Sequence, residues 1–332
     1  MVWKSSGVDV AVIGLGLIGG SVLQALAARG HRVVGFDADP ATRGTARTGA
    51  ARAAADRRWQ VAGTIRDAIR GAELVVLAVP LPALPGVFAE LADYDGLVTD
   101  VTSVKGPVRD LAAKHLRLAG FIGGHPMAGK ETSGFAAADP RLFDGCAWVL
   151  CLEGDLPDWL RLARLCTELG ARVVPATADE HDKAVASISH VPHLLAAALT
   201  SAVTDSPLAA SLAAGSFRDG SRVAATRPEL TAAMCGGNAA AVGPALESVL
   251  KVLDQLYDAL DTPDPVAALR PLLATASRIR AGWPPVPGDE AELPARADVL
   301  LRLGQVGGWV TKVNEDGRKV LAMRPETDRN HS

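Results

Sequence analysis

A histidine set among glycines is the residue of this chain best suited to proton transfer. His125 stands in the run Gly124-His125-Pro126-Met127-Ala128-Gly129, directly after an apolar segment with the pattern of a strand. At the carboxyl end of such a strand, a histidine could take the proton of an alcohol while hydride leaves the same carbon. The glycines would give a cofactor and substrate close access. Position alone favours this role no more than that of a structural histidine in a loop.

A glycine-rich string near the start of the chain could hold phosphate. Gly14, Gly16 and Gly19 form a G-x-G-x-x-G pattern with Leu17 and Ile18, after a strand pattern and before a helical one. In that context Gly14 permits a tight turn, Gly16 lets backbone approach a pyrophosphate, and Gly19 lets the helix pack on the strand. Unpaired N–H groups of the first helical turn would face the phosphates. The string predicts dinucleotide binding; the alternative is an ordinary strand-to-helix turn.

An acidic residue at the end of the next strand bears on the choice of cofactor. Asp37 lies eighteen residues after Gly19, where a carboxylate accepts hydrogen bonds from ribose hydroxyls and repels a 2′-phosphate. NAD is therefore favoured over NADP, although Arg43 and Arg47 nearby could accept a phosphate instead. The alternative role for Asp37 is that of a turn or helix-capping residue.

Two further histidines could contribute to a second binding surface. His190 and His193 are three residues apart in a helical pattern and would face the same side of the helix. With His181 they would make a set of three nitrogen ligands. No H-E-x-x-H string or cysteine pair with metal-ligand spacing accompanies them, so we predict no metal site.

The elements that position His125 and the glycine string belong to the first half of the chain. Apolar runs with strand patterns lie at 8–13, 32–36, 74–79, 97–101, 120–123 and 147–152, separated by helical patterns. This alternation predicts βαβ units and a Rossmann-like, mostly parallel sheet in an α/β domain of residues 1–172. Val79 and Pro80 end the third run, and we expect them to contact the cofactor.

The pattern changes in the second half. Residues 173–281 are rich in alanine and leucine and predict an all-helical domain, with helices at 189–204, 207–217, 229–235 and 239–260. Because such helices would bury their apolar faces best against a second copy, we expect a homodimer. Residues 282–332 form a proline-rich linker and a short hairpin tail around the Asp316-Gly317 turn. That tail is too small for its own core, and its sequence indicates no purpose.

The overall composition disfavours several classes of protein. Hydrophobic residues are 48% and charged residues 21% of the 332 residues, as in ordinary globular proteins. A net charge of −3 without a basic block predicts neither nucleic acid nor anionic membrane as a partner. The longest alanine–leucine run, 194–203, is shorter than the roughly 20 residues of a membrane span. Four cysteines without C-x-x-C spacing, and no signal-peptide pattern, predict buried thiols and a cytoplasmic location.

Five blocks of the chain together resemble the prephenate/arogenate dehydrogenase family of tyrosine biosynthesis. They are GLGLIGGS at 14–21, DVTSVK at 100–105, GGHPMAGKETSGF at 123–135, SHVPH at 189–193 and FRDGSR at 217–222. The resemblance covers about residues 8–281. It implies NAD-dependent oxidative decarboxylation of prephenate to 4-hydroxyphenylpyruvate, with hydride leaving the carbon that bears the 4-hydroxyl. Loss of carbon dioxide then makes the ring aromatic.

The resemblance also implies roles for individual residues. His125 accepts the proton or hydrogen bond of the 4-hydroxyl, and Ser103 holds the same region unless it caps the next helix. Arg222 binds a substrate carboxylate through its planar guanidinium. Asp219 holds Arg222 by an i,i+3 ion pair, or the two form a simple surface pair. The further substrate-binding candidates are Ser189, His190, His193, Glu131 and Ser133. Of these, His193 is placed near the substrate side chain, and Glu131 and Ser133 shape the loop or gate the pocket.

Two departures from the family concern regulation and the subunit interface. Several members carry an aromatic residue after the Arg222 segment that reaches toward the partner subunit's site, and here Thr231 occupies that place. Closure of the site by that contact is therefore in question. The tail is too short for the regulatory domain of some relatives, so any feedback inhibition by tyrosine is expected to act at the active site.

Alternative functions remain within and outside the family. Arogenate and the 4-amino analogue of prephenate are alternative substrates; no obvious carboxylate near His193 would bind an ammonium, which favours prephenate. A β-hydroxyacid dehydrogenase would use a lysine on a helix of the second domain, and neither Lys183 nor Lys251 has that setting. A non-catalytic nucleotide sensor would not require the proposed catalytic and carboxylate-binding residues together.

Overall fold

The computed structural model describes residues 7–116, 120–130 and 132–326, and the chain divides into two compact units. Of the described residues, the first unit contains those within 7–181 and 290–324, and the second contains 182–289 together with 325 and 326. The sequence-based boundaries at 172/173 and 281/282 differ from this division, because most of the tail belongs to the first unit.

All the strands of the described residues lie in the first unit. They are β1 (Asp9–Ile13), β2 (Arg32–Phe36), β3 (Gln60–Val61), β4 (Leu74–Leu77), β5 (Leu97–Asp100), β6 (Gly120–Ile122), β7 (Gly124–Pro126), β8 (Ala147–Cys151), β9 (Arg172–Ala176), β10 (Ala291–Pro294), β11 (Trp309–Val313) and β12 (Lys319–Met323). The helices of the chain are α1 (Leu17–Ala28), α2 (Pro40–Arg52), α3 (Ile65–Ile69), α4 (Leu84–Glu90), α5 (Gly106–His115), α6 (Leu156–Glu168), α7 (Ala178–Val185), α8 (Val191–Thr200), α9 (Pro207–Leu212), α10 (Gly215–Ser221), α11 (Pro228–Gly237), α12 (Ala239–Leu260), α13 (Pro265–Ala281) and α14 (Ala297–Gln305).

The first sheet is parallel and has the predicted Rossmann-like arrangement. Its strand order is β3-β2-β1-β4-β5-β6, so the carboxyl ends of all its strands lie at one edge. Val10 and Val12 of β1 enter one hydrophobic core, whereas Ala11 and Ile13 enter the core on the opposite face. Burial on both faces explains why these strands are continuous apolar runs. The predicted fold class is confirmed.

A second, mixed sheet was not foreseen from the sequence. Its order is β10-β12-β11-β9-β8-β7, with β8 parallel to β9 and β11 antiparallel to β9. The run at 147–152, predicted as part of the first sheet, therefore lies in the second. The tail hairpin cannot form a core alone, but as strands β11 and β12 it buries Val310, Val313 and Val320 in the core shared with the first sheet.

The second unit is helical, as predicted. Helix α7 continues through a π-helical turn, Ala186–His190, into α8. The whole run Ala178–Val203 has 26 residues and a mean hydropathy of 1.2, which by length and composition alone would suffice to cross a membrane. Within the second unit, Ala186 and Val191 of this run pack with Val242 of α12 in a small core, and 28% of the run's apolar window is buried.

Candidate active site

The glycine string forms a tight loop between β1 and α1. Gly14 has a φ of 96°, and a Cβ there would lie 2.4 Å from the carbonyl oxygen of Ala78. A Cβ on Gly19 would lie 1.9 Å from the Gly14 carbonyl oxygen, whereas a Cβ on Gly16 would meet nothing within 4 Å. The loop thus needs glycine at Gly14 and Gly19 for its own packing, and at Gly16 it has open space.

That open space lies at the start of a helix whose first turn can accept an anion. Gly16 is the N-cap of α1 and provides no side-chain cap to the N–H groups of Leu17 and Ile18. These groups and the positive end of the helix dipole suit a phosphate. Val79 lies beside Gly14, since its Cγ1 would be 3.0 Å from a Cβ there, and the exposed Pro80 follows it. The residues present therefore fit the pyrophosphate of a dinucleotide.

Asp37 fixes this loop as well as standing at the expected ribose position. Its Oδ2 accepts a hydrogen bond from the N–H of Leu15 at 2.7 Å, and its Oδ1 accepts one from Asp39 at 2.8 Å. Each carboxylate oxygen keeps a further lone pair for a ribose hydroxyl. The Arg43 guanidinium donates to the carbonyl oxygens of Asp37 and Ala38 at 2.6 and 3.0 Å. Arg43 is therefore engaged by backbone next to the site where a 2′-phosphate would lie.

A buried ion pair clamps the residue that precedes His125. Lys105 and Asp100 have side-chain exposures of 1% and 0% and form an ion pair. The Lys105 Nζ also donates to the carbonyl oxygen of Gly124 at 2.6 Å, and the Gly124 N–H donates to Asp100 Oδ1 at 3.1 Å. Both backbone groups of Gly124 are thus fixed by one charge pair, which ties the end of β5 to the strand that carries His125.

His125 lies on β7, the edge strand of the second sheet, three residues beyond the end of β6. It pairs with Val149 of β8. Its Nδ1 lies 2.9 Å from Nε2 of His181, a hydrogen-bond distance in which one ring donates to the other. The rings meet edge to face, with centroids 5.1 Å apart, and His181 is 2% exposed. From its sequence context His181 was a candidate only for a metal site, and this contact was not predicted.

The loop after His125 packs on the helix that follows the glycine string. The Asp139 N–H donates to Ser21 Oγ of α1 at 2.9 Å, and a Cβ on Gly20 would lie 2.9 Å from Phe135. Ser133 is exposed within this loop, and Glu131 lies outside the described residues. The loop therefore joins the candidate proton acceptor to α1, the candidate nucleotide-binding helix.

Ser103 lies in the loop between β5 and α5, partly exposed. Lys105 is the N-cap of α5, and the helix has no side-chain cap. The alternative role of Ser103 as a helix cap is therefore not observed. The loop of Ser103 follows β5 and includes Lys105, which donates to the Gly124 carbonyl oxygen. Among the described contacts, no hydrogen bond of the Ser103 hydroxyl is seen.

In the second unit the two helical histidines have different environments. His190 is fully buried, and its Nδ1 lies 3.2 Å from the Asn238 amide nitrogen. That amide can only donate, so the neutral His190 ring carries its proton on Nε2. His193 is partly exposed and its Nδ1 lies 2.8 Å from the carbonyl oxygen of Ser189. The π-helical turn Ala186–His190 ends at the first of these histidines, and His193 lies in the ordinary helix α8. That both rings face one side of the helix stays a prediction.

The remaining candidates of the second unit lie on its surface. Arg222 is exposed at the end of α10, and Asp219 lies 3.5 Å from Arg218 Nε, an exposed ion pair with its chain neighbour. Thr231 is half-buried on α11. In the described parts of the chain, no three His, Cys, Asp or Glu side chains are grouped as metal ligands.

The chain matches two family models in succession. Residues 22–175 match the nucleotide-binding domain of prephenate dehydrogenase, and residues 177–270 match its dimerization domain. Prephenate dehydrogenase of Bacillus subtilis is 30% identical over 318 residues, which cover 92% of this chain and 83% of the relative.

Solved structures give the same grouping. Synechocystis arogenate dehydrogenase is 32% identical with a TM-score of 0.70, over 82% of this chain and 99% of that chain. Prephenate dehydrogenase from A. aeolicus, in complex with hydroxyphenyl propionate and NAD+, is 26% identical with a TM-score of 0.72. That likeness covers 84% of this chain and 98% of the other. The resemblance found in the sequence is confirmed.

Proposed function

The chain belongs to the prephenate dehydrogenase family of enzymes, and we propose that it catalyses the NAD-dependent oxidative decarboxylation of prephenate to 4-hydroxyphenylpyruvate. One geometric observation carries the proposal. His125 and the glycine loop follow β6 and β1, which run parallel in one sheet, so both lie beyond its carboxyl edge. Ligands of open α/β sheets bind at that edge.

The cofactor in this proposal is NAD, with NADP as the weaker candidate. The first turn of α1 and Gly16 hold the pyrophosphate, and Asp37 accepts the ribose hydroxyls. When bound, the oxidised nicotinamide supplies the hydride acceptor. Support for NAD over NADP comes from the Asp37 carboxylate and from Arg43, whose guanidinium already donates to two backbone carbonyl oxygens.

His125 moves the proton. Its Nδ1 faces His181, so we assign Nε2 to the substrate hydroxyl. As the carbon bearing that hydroxyl is oxidised, Nε2 takes the hydroxyl proton, and it can return it to the phenolate oxygen once carbon dioxide has left. The ring becomes aromatic in that second step, so the protein's main work is to position the groups. Ser103 is assigned to the same hydroxyl region.

Recognition of the substrate's anionic groups is proposed for individual residues named from the family resemblance. We assign Arg222 to a carboxylate, because its exposed planar guanidinium suits two oxygen atoms. Ser189, His190, His193, Asp219, Glu131 and Ser133 stay proposed substrate-site residues. Among them His190 is fully buried, so its proposed part is to shape the segment rather than to touch the substrate. For Asp219 the described ion pair with Arg218 leaves an indirect role, orienting the Arg222 segment.

Arogenate is a second candidate substrate, favoured by His193. The Ser189 carbonyl can only accept, so a neutral His193 carries its proton on Nδ1 and presents Nε2 as an acceptor. An acceptor suits the ammonium of arogenate, whereas the keto group of prephenate requires a donor. The 32% identical Synechocystis enzyme is an arogenate dehydrogenase.

We further propose that the working form is a homodimer in the cytoplasm. Helices α12 and α13 expose large apolar side chains in the single chain, among them Leu253, Tyr257, Leu273 and Ile279. Such a face favours packing against a second copy of the chain. Sedimentation of wild type and of Tyr257→Glu tests the dimer: a wild-type monomer would refute it.

The cysteines bear on the proposed location. All four are free thiols, as in a reducing compartment. Cys146 and Cys235 are partly exposed, whereas buried thiols were expected.

One set of assays tests the function. Purified protein is mixed with prephenate or arogenate and with NAD or NADP, and reduced nicotinamide is followed by absorbance. We expect turnover with prephenate and NAD, abolished in His125→Asn. In Arg222→Gln we expect KM to rise about 10- to 100-fold with kcat largely kept, the loss of one charge-assisted contact.

Arg227→Gln is the matched control for Arg222→Gln, because Arg227 is also an exposed arginine of the second unit. It should leave KM unchanged. Turnover with arogenate but not with prephenate would make arogenate the substrate, and the proposed roles of His125 and Arg222 would stay the same. No turnover in any mixture, with NAD still bound, would refute the proposed function.

A further inference from the structure

His125 and His181 are joined by a hydrogen bond, and the proposed chemistry determines which of the two rings donates it. The two rings share one proton across the 2.9 Å between Nδ1 and Nε2. If His181 donated, the neutral His125 would carry its proton on Nε2 and could not accept another there. If His125 donates from Nδ1, its neutral ring carries no proton on Nε2, and that nitrogen can act as an acceptor. Only the second arrangement leaves His125 able to take a proton from a substrate.

We propose that His181 is a positioning residue for the reaction, which accepts the Nδ1–H of His125 and thereby holds Nε2 ready as the base. This inference rests on the proposed function of His125. It requires that the neutral His181 carry its own proton on Nδ1. When His125 becomes an imidazolium, the same hydrogen bond gains a charged donor and strengthens, so it stabilises the transition state more than the ground state.

The burial of His181 suits this role. It is 2% exposed, so water does not compete for Nε2, and its edge-to-face contact restricts the tilt of the His125 ring. His125 itself is only partly buried, on an edge strand whose backbone fixes Cα but not the ring. A ring with two free torsions needs a side-chain partner to stay in one orientation.

Helix α7 is anchored so that His181 has a defined place. Thr177 and Glu180 form a capping box: the Thr177 N–H and hydroxyl donate to Glu180 Oε2 at 2.9 Å, and the Glu180 N–H donates to Thr177 Oγ1 at 3.1 Å. The His181 N–H donates to the Thr177 carbonyl oxygen at 3.0 Å. His181 therefore lies in the first turn of a capped helix.

Two contacts from other elements of the first unit brace the same turn. Arg109 of α5 donates to Asp179 at 3.0 Å. Gln305, at the end of α14 in the tail, donates to Glu180 Oε1 at 2.8 Å. Helix α14 packs closely on β9, since a Cβ on Gly304 would lie 1.7 Å from the Pro175 carbonyl oxygen. The sequence of the tail indicated no purpose for it. In the structure, the tail contacts the helix that carries His181.

The test compares His181→Leu, which removes the acceptor, with His181→Gln, whose amide oxygen can replace it. We expect kcat to fall about 10- to 100-fold in His181→Leu, as for the loss of one hydrogen bond to a charged group. His181→Gln should recover most of that loss, and KM should stay within about threefold of wild type in both. His31→Gln is the matched control, since His31 is a histidine of the same unit bonded to the Val8 N–H; it should leave kcat unchanged.

Unchanged kcat in a folded His181→Leu would overturn the proposal, and so would equal losses in the Leu and Gln variants. A readout without turnover separates this from failure of the proposed function. Nitrogen-15 spectra of the seven histidines report which ring nitrogen carries the proton, with His125→Asn assigning the His125 signal. We expect neutral His125 to be protonated on Nδ1 in the wild type. Protonation on Nε2 would overturn the proposal, even in a protein that turns over no tested substrate.

Discussion

Replacing Lys105 with methionine would remove one half of the charge pair that clamps Gly124. The substitution keeps the length and apolar stem of the side chain. It deletes the hydrogen bonds that the described residues show from Nζ to Asp100, Thr102 and Gly124. Because the two charged side chains are 1% and 0% exposed, water cannot replace the lost partner. We expect the free energy of unfolding of the first unit to fall by about 3–5 kcal/mol, the range for breaking one side of a buried pair.

The assay is urea unfolding followed by tryptophan fluorescence. Trp148 and Trp159 are buried in the core of the first unit, at 4% and 0% exposure, so they report on its unfolding. With a slope of about 2–3 kcal/mol per molar urea, the midpoint should fall by about 1–2.5 M. The kcat should also fall by more than about tenfold, because the backbone of Gly124 adjoins His125.

Two further variants make the reasoning refutable. Lys319→Met breaks an exposed pair with Glu292 in the same unit and should leave the midpoint nearly unchanged. Adding Asp100→Asn to Lys105→Met should restore part of the stability, because the unpaired buried charge is then gone. A midpoint shift below about 0.3 M in Lys105→Met would mean that the pair does not hold this loop.

Three other perturbations have definite outcomes. Gly16→Ala should fold normally but weaken NAD binding at least about tenfold in calorimetry, whereas Gly19→Ala should also lower stability, because only the second Cβ clashes with the protein; equal stability losses would contradict this. Gln305→Leu should lower kcat by about two- to fivefold through the lost contact with Glu180. An unchanged kcat would mean that the tail does not help to position His181. Burial raises the pKa of the Cys146 thiol to about 11, so alkylation rates should still rise with pH above pH 9, where an ordinary thiol levels off.

The nucleotide-binding half was predictable because its signals are local. Gly14, Gly16 and Gly19 fall within one turn, and Asp37 follows at a spacing set by one βαβ unit. The parallel strands, buried on both faces, are apolar runs that any reader of the sequence can find. The resemblance to the family rests on short blocks of the same kind, and the family models confirm it.

Other features required the tertiary structure, because their partners are far apart in the chain. Val310 of the tail pairs with Val173, and no local pattern announces a strand partner at that distance. His181 meets His125 across 56 residues. The capping box of Thr177 and Glu180 marks the start of α7 in the sequence. The sequence does not show which residue His181 of that helix contacts.

The sequence by itself indicated the candidates for the chemistry: a glycine loop proposed to bind phosphate, a carboxylate proposed to bind ribose and a histidine beyond a strand. Tertiary structure decided how they are held. The Lys105–Asp100 pair fixes Gly124 only because β5 and β6 lie side by side, and α7 presents His181 only because the second sheet, completed by the tail, places it there. Residue type and short spacing are written locally, whereas orientation and burial depend on contacts between distant segments.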